Sequence, residues 1–376
     1  MRAMLSSVLL VSLLVSVGCL NYDEPTPETP AAPKQEPTTK PSETPGPGQL
    51  PYAREPHPKE KHFKNIRQLT DGGENAEAYF SADSKKLIFQ SKRPPYQCDQ
   101  IFTMNLDGGD LKMVSTGTGR TTCAYWVYPD DKSVVYASTH AADEMCPPVP
   151  DRSRGYVWPI YDTYEIYRAD ADGKNPQVLA PHPGYDAEAT MAPDGSRICF
   201  TSMRDGDLDI YTMKPDGTDV VRLTDTPGYD GGPFYSPDGT KIIFRASRPE
   251  GEVLRDYQEL LKVGLIRPSR LDVYMMDADG SNVERLTQND AANFCPFFHP
   301  DGKRVIFSSN MGDPKRREFD LFSVHIETKE IEQITFTPDF DGFPMFSPDG
   351  KTFVWCSNRN NAKPGETNVF ICDWVD

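Results

Sequence analysis

The sequence predicts an all-β fold, a six-bladed β-propeller closed by an N-terminal strand. Three observations indicate it. A turn centred on an aspartate recurs six times, an apolar run of β type follows each turn, and the strand missing from the last repeat is present before the first. The 376 residues include 35 Pro and 27 Gly, a composition that favours turns and strands over a helical bundle.

Each repeat is marked by a turn of the Pro-Asp-Gly type. The six copies are Ala82-Asp83-Ser84, Pro129-Asp130-Asp131, Pro193-Asp194-Gly195, Pro237-Asp238-Gly239, Pro300-Asp301-Gly302 and Pro348-Asp349-Gly350. A short apolar run follows every copy, as Leu87-Ile88-Phe89 follows the first. Such runs, bounded by turn residues, are typical of buried strands, so each repeat supplies a hairpin.

A third and a fourth strand complete each repeat except the last. In the third repeat they are Asp209-Ile210-Tyr211 and Arg222-Leu223-Thr224. The chain stops at Asp376, soon after the third strand of repeat six, whereas Arg67-Gln68-Leu69-Thr70 precedes repeat one. We therefore expect the N-terminal strand to complete the last sheet, which closes the ring and leaves no long sheet edge exposed.

Two repeats carry insertions between their second and third strands. The turn aspartates are spaced by 47, 64, 44, 63 and 48 residues, so repeats two and four are the long ones. The first insertion, from about His140 to Tyr164, is rich in Pro and aromatic residues. The second, Glu252 to Ile266, has apolar residues at helical spacing and predicts a short amphipathic helix over one face. Function is expected on that face.

The N-terminal region predicts a lipid-anchored envelope protein. Residues 1–18 resemble a signal peptide, with Arg2 before the apolar run Met4 to Val17. Ser16-Val17-Gly18-Cys19 is similar to a bacterial lipobox, which implies lipidation of Cys19; an ordinary secretory signal is the alternative. Leu20 in place of an aspartate favours the outer membrane, facing the periplasm, or the cell surface.

Residues 19–62 are expected to form a disordered linker, and residues 63–376 the propeller. Between Leu20 and His62 lie 11 of the 35 prolines and only two aromatic residues. A segment of this composition cannot bury enough apolar surface to offset the entropy lost on ordering. The linker is therefore a semi-extended tether, so that contact with the membrane is made through the lipid anchor only.

The repeats resemble those of a known family. Tyr235-Ser236-Pro237-Asp238-Gly239-Thr240-Lys241-Ile242-Ile243-Phe244, with the later Asp277-Ala278-Asp279-Gly280 and Arg285-Leu286-Thr287, is similar to the WD-like propeller repeat of the TolB family. The resemblance covers about Phe63 to Asp376 and implies a protein-binding envelope component. A Pro-rich tether stands here where that family has an N-terminal α/β domain. Similar blades also occur in relatives of prolyl oligopeptidase and in some lyases.

The candidate ligand-binding residues ring one mouth of the central channel. Counting back from the turn aspartates places Asn75, Thr122, Asp186, Asp230, Asn293 and Asp341 at one level, and Glu77, Ala124, Glu188, Gly232, Cys295 and Phe343 at the next. A basic level follows the second strands, with Arg93, His140, Arg204, Arg248 and Arg359, and Met311 interrupts it. Because this pattern is periodic, the alternative is structural pairing of each arginine with a carboxylate of its own or the adjacent blade.

Three carboxylates near this mouth, Glu77, Asp186 and Glu188, could hold a divalent cation or a cationic peptide group, together with His140 and His182. A solvated acidic rim is the alternative. No regular metal motif is present, and no cofactor is expected apart from such a cation.

The motifs favour a non-catalytic protein- or peptide-binding scaffold, expected to be monomeric. The sequence contains no G-x-S-x-G, H-E-x-x-H or Walker motif, so no catalytic residue is predicted. The net charge of −16 argues against nucleic acid as a partner. The alternatives are an enzyme acting at the channel mouth, similar to a metal-dependent carbohydrate lyase, and a glycan-binding module.

The eight cysteines include Cys19 and leave seven in the body of the protein. Cys98, Cys123 and Cys146 are the disulfide candidates, and a bridge among them would tie blade one to blade two. Sequence does not determine which two of them pair.

Overall fold

The computed structural model describes residues 50–376 except Arg152, Arg154 and Asp339. It shows six antiparallel sheets whose inner strands contact one another in succession, the last returning to the first. The predicted six-bladed propeller is therefore confirmed. The signal peptide, Cys19 and most of the predicted linker lie outside the described residues.

The described chain begins with β1 (Tyr52–Arg54) and β2 (Phe63–Gln68). Blade one consists of β3 (Glu74–Phe80), β4 (Lys86–Lys92), β5 (Gln100–Asn105) and β6 (Lys112–Met113). Blade two consists of β7 (Thr121–Trp126), β8 (Ser133–Ser138), β10 (Glu165–Asp170) and β11 (Gln177–Val178), with β9 (Trp158–Pro159) in its insertion. Blade three consists of β12 (Asp186–Met191), β13 (Ile198–Ser202), β14 (Asp209–Met213) and β15 (Val221–Arg222).

Blades four to six follow the same plan. Blade four consists of β16 (Asp230–Tyr235), β17 (Lys241–Ala246), β19 (Asp272–Asp277) and β20 (Glu284–Arg285), with α1 (Gly251–Leu261) and β18 (Leu265–Ile266) in its insertion. Blade five consists of β21 (Asn293–Phe298), β22 (Arg304–Ser309), β23 (Asp320–His325) and β24 (Ile331–Gln333). Blade six contains β25 (Asp341–Phe346), β26 (Thr352–Ser357) and β27 (Asn368–Trp374).

The N-terminal strand closes the ring, as the sequence predicts. The last sheet has the order β1-β2-β27-β26-β25, with Phe63 opposite Trp374 and Gln68 opposite Phe370. Phe63 is buried and its ring stacks on Trp355 at 4.8 Å between centroids. Closure therefore joins the two ends of the chain through both backbone pairing and aromatic packing.

Some described residues before the predicted boundary at residue 63 also contact the propeller. β1 adds a fifth strand outside β2, with Tyr52 opposite Gln68, and Glu60 is buried beside Arg359 at 3.0 Å. The prolines between residues 50 and 62 do not prevent these contacts. Residues 52–54 and Glu60, which the sequence analysis assigns to the linker, thus belong to the propeller.

All six inner strands contain a β-bulge at the same place, where the pairing register shifts between the first and second halves of the strand. The bulged residue has a positive φ in every blade; these residues are Glu77, Cys123, Glu188, Gly232, Cys295 and Phe343. A bulge re-aims the side chain that it carries. Here it turns five side chains, with a glycine at the sixth position, out of the regular alternation at one level of the ring.

Blade two differs from the prediction by one residue. Counting back from Asp130 gives Ala124, whereas the bulged residue is Cys123. The reason is a longer turn: Trp126 and its partner Val134 are eight positions apart, against seven for Phe80 and Leu87 in blade one. Its Asp131 N–H donates to Val127 across four residues.

The two insertions meet over the mouth of the channel. β9 from blade two pairs with β18 from blade four, with Ile266 opposite Trp158. The predicted amphipathic helix is confirmed as α1, which buries Tyr257 and Leu261 against this pair. No helix in the part of the chain described here is long and apolar enough to cross a membrane.

A disulfide joins Cys98 to Cys146 and thus ties the blade-two insertion to blade one. The third candidate, Cys123, is a free thiol. Its bulged position explains the difference, because Cys123 belongs to the inner strand and not to the outer loops that the bridge connects.

Candidate binding site

A cavity of about 130 Å³ lies at the channel mouth beneath the paired insertions. Below it is a smaller space of about 30 Å³, and both are lined by Glu77, Cys123, Glu188, Arg245, Cys295 and Phe343. Five of these six are bulged residues. The bulges therefore build the wall of the cavity.

The floor of the channel is aromatic. Tyr79 lies 5.5 Å from Tyr125 and 5.4 Å from Phe234 between ring centroids, and Phe234 lies 5.4 Å from Phe297. The first three of these rings are buried. The channel is thus filled below the cavity, which makes the mouth a pocket.

The remaining walls are mainly aromatic and come from the insertions and the loops before the inner strands. They are Tyr156, Trp158, Tyr161, Tyr164, Tyr185, Tyr229, Phe294 and Phe340. Tyr164 packs edge-on against Tyr185 at 5.8 Å, and Trp158 lies 5.2 Å from Phe294. An apolar pocket with a few converging polar groups is the usual form of a small-ligand site.

Glu188 is held in a complete set of polar contacts. One carboxylate oxygen pairs with Arg245, and the other accepts hydrogen bonds from Thr201 Oγ1 and the Gly232 N–H, both at 2.8 Å. Gly232 has a φ of +59°, and a Cβ there would collide with the Arg245 guanidinium. The glycine at this bulge therefore leaves the space in which Arg245 neutralises Glu188.

Arg245 is the second-to-last residue of β17 and contacts more than one wall of the pocket. It donates a hydrogen bond to Tyr229 Oη at 2.7 Å and lies over the rings of Tyr229 and Trp158. Burial lowers the pKa of Arg245, but attraction to Glu188 and Tyr229 outweighs this effect and raises it well above the usual value. Its Nε atom is buried without a hydrogen-bond partner in the described structure.

Glu77 has no such compensation. Among the described residues its carboxylate accepts a hydrogen bond from the Cys123 thiol, 3.7 Å away, and from no other side chain. Burial and repulsion from Glu188 raise its pKa to about 7, against smaller opposing effects of Cys123 and Arg245. The charge of Glu77 therefore changes near neutral pH.

The other carboxylates and arginines predicted for the mouth form pairs inside the blades. Arg204 contacts Asp186 at 2.9 Å, Arg248 contacts Asp230 at 2.6 Å, and Arg359 contacts Asp341 at 2.9 Å. In blade one Arg93 donates to the Asn75 amide oxygen at 2.7 Å. Pairing within the blade, the alternative raised by periodicity, is confirmed.

These pairs do not line the cavity. Asn75, Asp186, Asp230 and Asp341 are each at most 2% exposed, and the four arginines lie over aromatic residues such as Phe102, Tyr211, Tyr274 and Trp355. The pocket therefore does not include these predicted residues, because the acids and Asn75 precede the bulge of their inner strands and are buried beside the arginines. Of the predicted carboxylates only Glu77 and Glu188 reach the pocket.

The two histidines lie away from the pocket. His140 takes the place of an arginine in blade two, packing on Tyr167 at 4.3 Å with Nδ1 2.8 Å from Ser138 Oγ, and burial lowers its pKa. His182 is exposed. In the described structure no three His, Cys, Asp or Glu side chains are placed to hold a metal ion. The hypothesis of a divalent cation at Glu77, Asp186 and Glu188 is therefore wrong for this geometry.

Sequence reasoning missed most of the pocket walls. The aromatic residues of the first insertion were visible as a Pro- and aromatic-rich segment, but no periodicity indicates where they fold back. Arg245 carries a clearer signal, because a charged residue stands within an apolar strand, Ile242-Ile243-Phe244-Arg245-Ala246. Charges are rarely buried unless they are paired, so this position indicates a buried partner.

Residues 159–252 match the TolB beta propeller domain family. The six blades and this match together show a TolB-like, six-bladed β-propeller. No curated protein matches the chain in sequence.

Solved structures share the fold. A putative TolB from Agrobacterium tumefaciens is 21% identical with a TM-score of 0.50, over 81% of this chain and 91% of that one. TolB from Acinetobacter baumannii is 19% identical with a TM-score of 0.50, over 80% of this chain and 63% of that longer chain. An oligogalacturonate lyase in complex with manganese is 14% identical with a TM-score of 0.51, over 88% and 98%. At such identities the similarity establishes the fold alone.

Among the described residues, the pocket offers no donor set for a manganese ion. Glu188 is already paired with Arg245, Glu77 stands beside a thiol, and the two histidines are elsewhere. The pocket residues of this chain do not fit such a metal.

Proposed function

We propose that this protein is a lipid-anchored propeller of the cell envelope that binds a protein or peptide segment at its channel mouth without transforming it. The observation that carries the proposal is the pocket of about 130 Å³, walled by aromatic rings and closed below by further rings. Cavities of about 150 Å³ accommodate benzene, so this one has the size of one amino-acid side chain.

The chemistry of the pocket favours binding over catalysis. A nucleophile is activated by an adjacent base or by a lowered pKa, and a general base must reach the proton that it removes. Glu188 is fully engaged by Arg245, Thr201 and Gly232, and burial raises the pKa of both pocket thiols, to about 12 for Cys295. Glu77 also lines the pocket and has a pKa of about 7, but the Cys123 thiol beside it has a raised pKa and is not an activated nucleophile. We therefore assign the pocket to anchoring, in which one side chain of a partner becomes desolvated, as at interface hot spots.

Filling the pocket is expected to abolish peptide capture. Cys295→Phe adds a ring at a bulge, and Phe343 already occupies the equivalent bulge of blade six with a similar φ, so the fold should tolerate it. Peptides selected on the wild-type protein from a random displayed library should bind Cys295→Phe at least about tenfold more weakly by calorimetry, since the anchor is lost.

The matched control is Val283→Phe, which adds the same ring at an exposed site outside the pocket. It should bind the selected peptides like the wild type. Equal binding by Cys295→Phe, with an unchanged melting temperature, would place the interaction elsewhere and refute the proposal. Peptide turnover by the wild type would refute its non-catalytic part.

The anchor is tested separately. Cys19→Ala should shift the protein from the membrane to the soluble fraction, because two or more acyl chains are needed for stable attachment and the thioether-linked diacylglycerol would be lost. Immunoblots of fractionated cells measure this, with Cys123→Ala as the matched cysteine substitution. If the wild-type protein and Cys19→Ala were equally soluble, no lipid would be attached to Cys19.

A further inference from the structure

We propose that the group admitted to this pocket is an alkylammonium, such as the side chain of a lysine in the bound segment, held by the Glu77 carboxylate and surrounded by aromatic rings. The inference rests on the proposed function and names the chemistry of the residue that it anchors.

The first argument is the charge balance inside the pocket. Two carboxylates and one guanidinium face the cavity, and Arg245 is committed to Glu188 through a direct ion pair. The ionised Glu77 is then an uncompensated charge beneath an apolar roof. A buried charge is costly unless it is paired, so a cation entering the cavity supplies the missing partner.

The second argument is the nature of the walls. A cation is attracted to the faces of Tyr, Trp and Phe rings, and cages of such rings bind alkylammonium groups. The pocket contains rings of all three types, including Trp158, Tyr164 and Phe343. No other side-chain cation besides Arg245 lines the cavity in the described structure.

The third argument separates an ammonium from a sugar, the ligand of the glycan alternative. A sugar needs many hydrogen-bonding groups, but several polar atoms of the walls are already engaged. Trp158 Nε1 donates to Tyr156 Oη at 2.9 Å, Tyr161 Oη donates to the Pro148 carbonyl, and Gln90 Oε1 accepts from the Cys123 N–H. The cavity volume also suits roughly six heavy atoms, fewer than a hexose has.

The test uses small probes on the purified propeller. We expect n-butylammonium chloride to bind in calorimetric or NMR titrations, and the isosteric neutral 1-butanol and glucose to bind at least about tenfold more weakly. Glu77→Gln should lose at least about tenfold in affinity for n-butylammonium and almost none for 1-butanol. Glu77→Asp should retain part of the preference for the cation.

The pH dependence supplies a second readout. Glu188 and Asp99 oppose the ionisation of Glu77, and Arg245 and the Cys123 thiol favour it. The Tyr79 hydroxyl and the Cys295 and Cys356 thiols also lie near Glu77, and burial raises the pKa of each, so they stay neutral in this pH range. With the Glu77 pKa at about 7, its ionised fraction rises about tenfold between pH 6 and pH 8, while the amine stays protonated. Affinity for n-butylammonium should rise by the same factor, and the rise should vanish in Glu77→Gln.

The outcomes distinguish this inference from the function on which it rests. Equal affinity of wild type and Glu77→Gln for n-butylammonium, affinity that falls with pH, or preferential binding of 1-butanol or glucose would overturn it. If selected peptides still bind Glu77→Gln as tightly as the wild type but fail on Cys295→Phe, the peptide-binding function stands and the ammonium inference falls. Melting temperatures of both variants show whether each has folded.

Discussion

Deleting residues 63–70 is expected to destabilise the whole propeller by more than about 5 kcal/mol, a loss comparable to the entire stability of a marginally stable domain. The deletion removes Phe63, Ile66 and Leu69, each at most 3% exposed, and each buried side chain of this kind contributes about 1.5–3 kcal/mol. It also exposes β27 as a sheet edge, since β2 pairs along it. Ring closure therefore predicts loss of cooperative thermal unfolding, measured by calorimetry and circular dichroism.

Deleting residues 50–54 is the matched control. It removes β1, the outermost strand of the same sheet, whose residues are partly or fully exposed, so the melting temperature should fall only slightly. If the two deletions melted at the same temperature, β2 would not hold the ring closed.

Arg359→Ala is expected to cost about 3–5 kcal/mol of folding free energy, because removing one member of a buried ionic group leaves the others uncompensated. Arg359 contacts Glu60 and Asp341 at 3.0 and 2.9 Å, and the side chains of both acids are fully buried. The same group holds the N-terminal segment against blade six. Urea unfolding at neutral pH measures the loss.

Arg255→Ala provides the comparison for this effect. Its ion pair with Glu252 lies on the surface of α1 with both side chains more than 70% exposed, and such pairs contribute about 0–1 kcal/mol. Similar unfolding free energies for Arg359→Ala and wild type would mean that the buried group adds nothing to closure.

Periodic features were predictable from sequence, and the contributions of the insertions were not. The turns, the strand order and the N-terminal closure repeat or complement one another, so six weak signals support one architecture. Five of the six bulged positions followed from the same counting, and only the longer turn at Asp130 displaced the sixth. The roof of the pocket has no repeat to count, and its aromatic residues were recognised only as a composition.

The candidate site shows a second limit. Asp186 and Glu188 are two residues apart on one strand and look alike in sequence, yet Asp186 is 2% exposed in a pair with Arg204, and Glu188 lines the pocket. Regular alternation would place both on one side of the sheet. The bulge between Ala187 and Thr190 separates their environments. The sequence does not indicate this bulge, because its positive φ is taken by Glu188 and non-glycine residues seldom have a positive φ.

The pairing of β9 with β18 has a consequence for the way the repeats cooperate. In a repeat protein each unit contacts only its neighbours, so stability is a sum of unit and nearest-neighbour terms. Here a strand of blade two is hydrogen-bonded to a strand of blade four, with blade three between them in the chain. This link adds a next-nearest-neighbour term, so the energetic effects of substitutions in blades two and four are coupled, although their sheets are not adjacent in the ring.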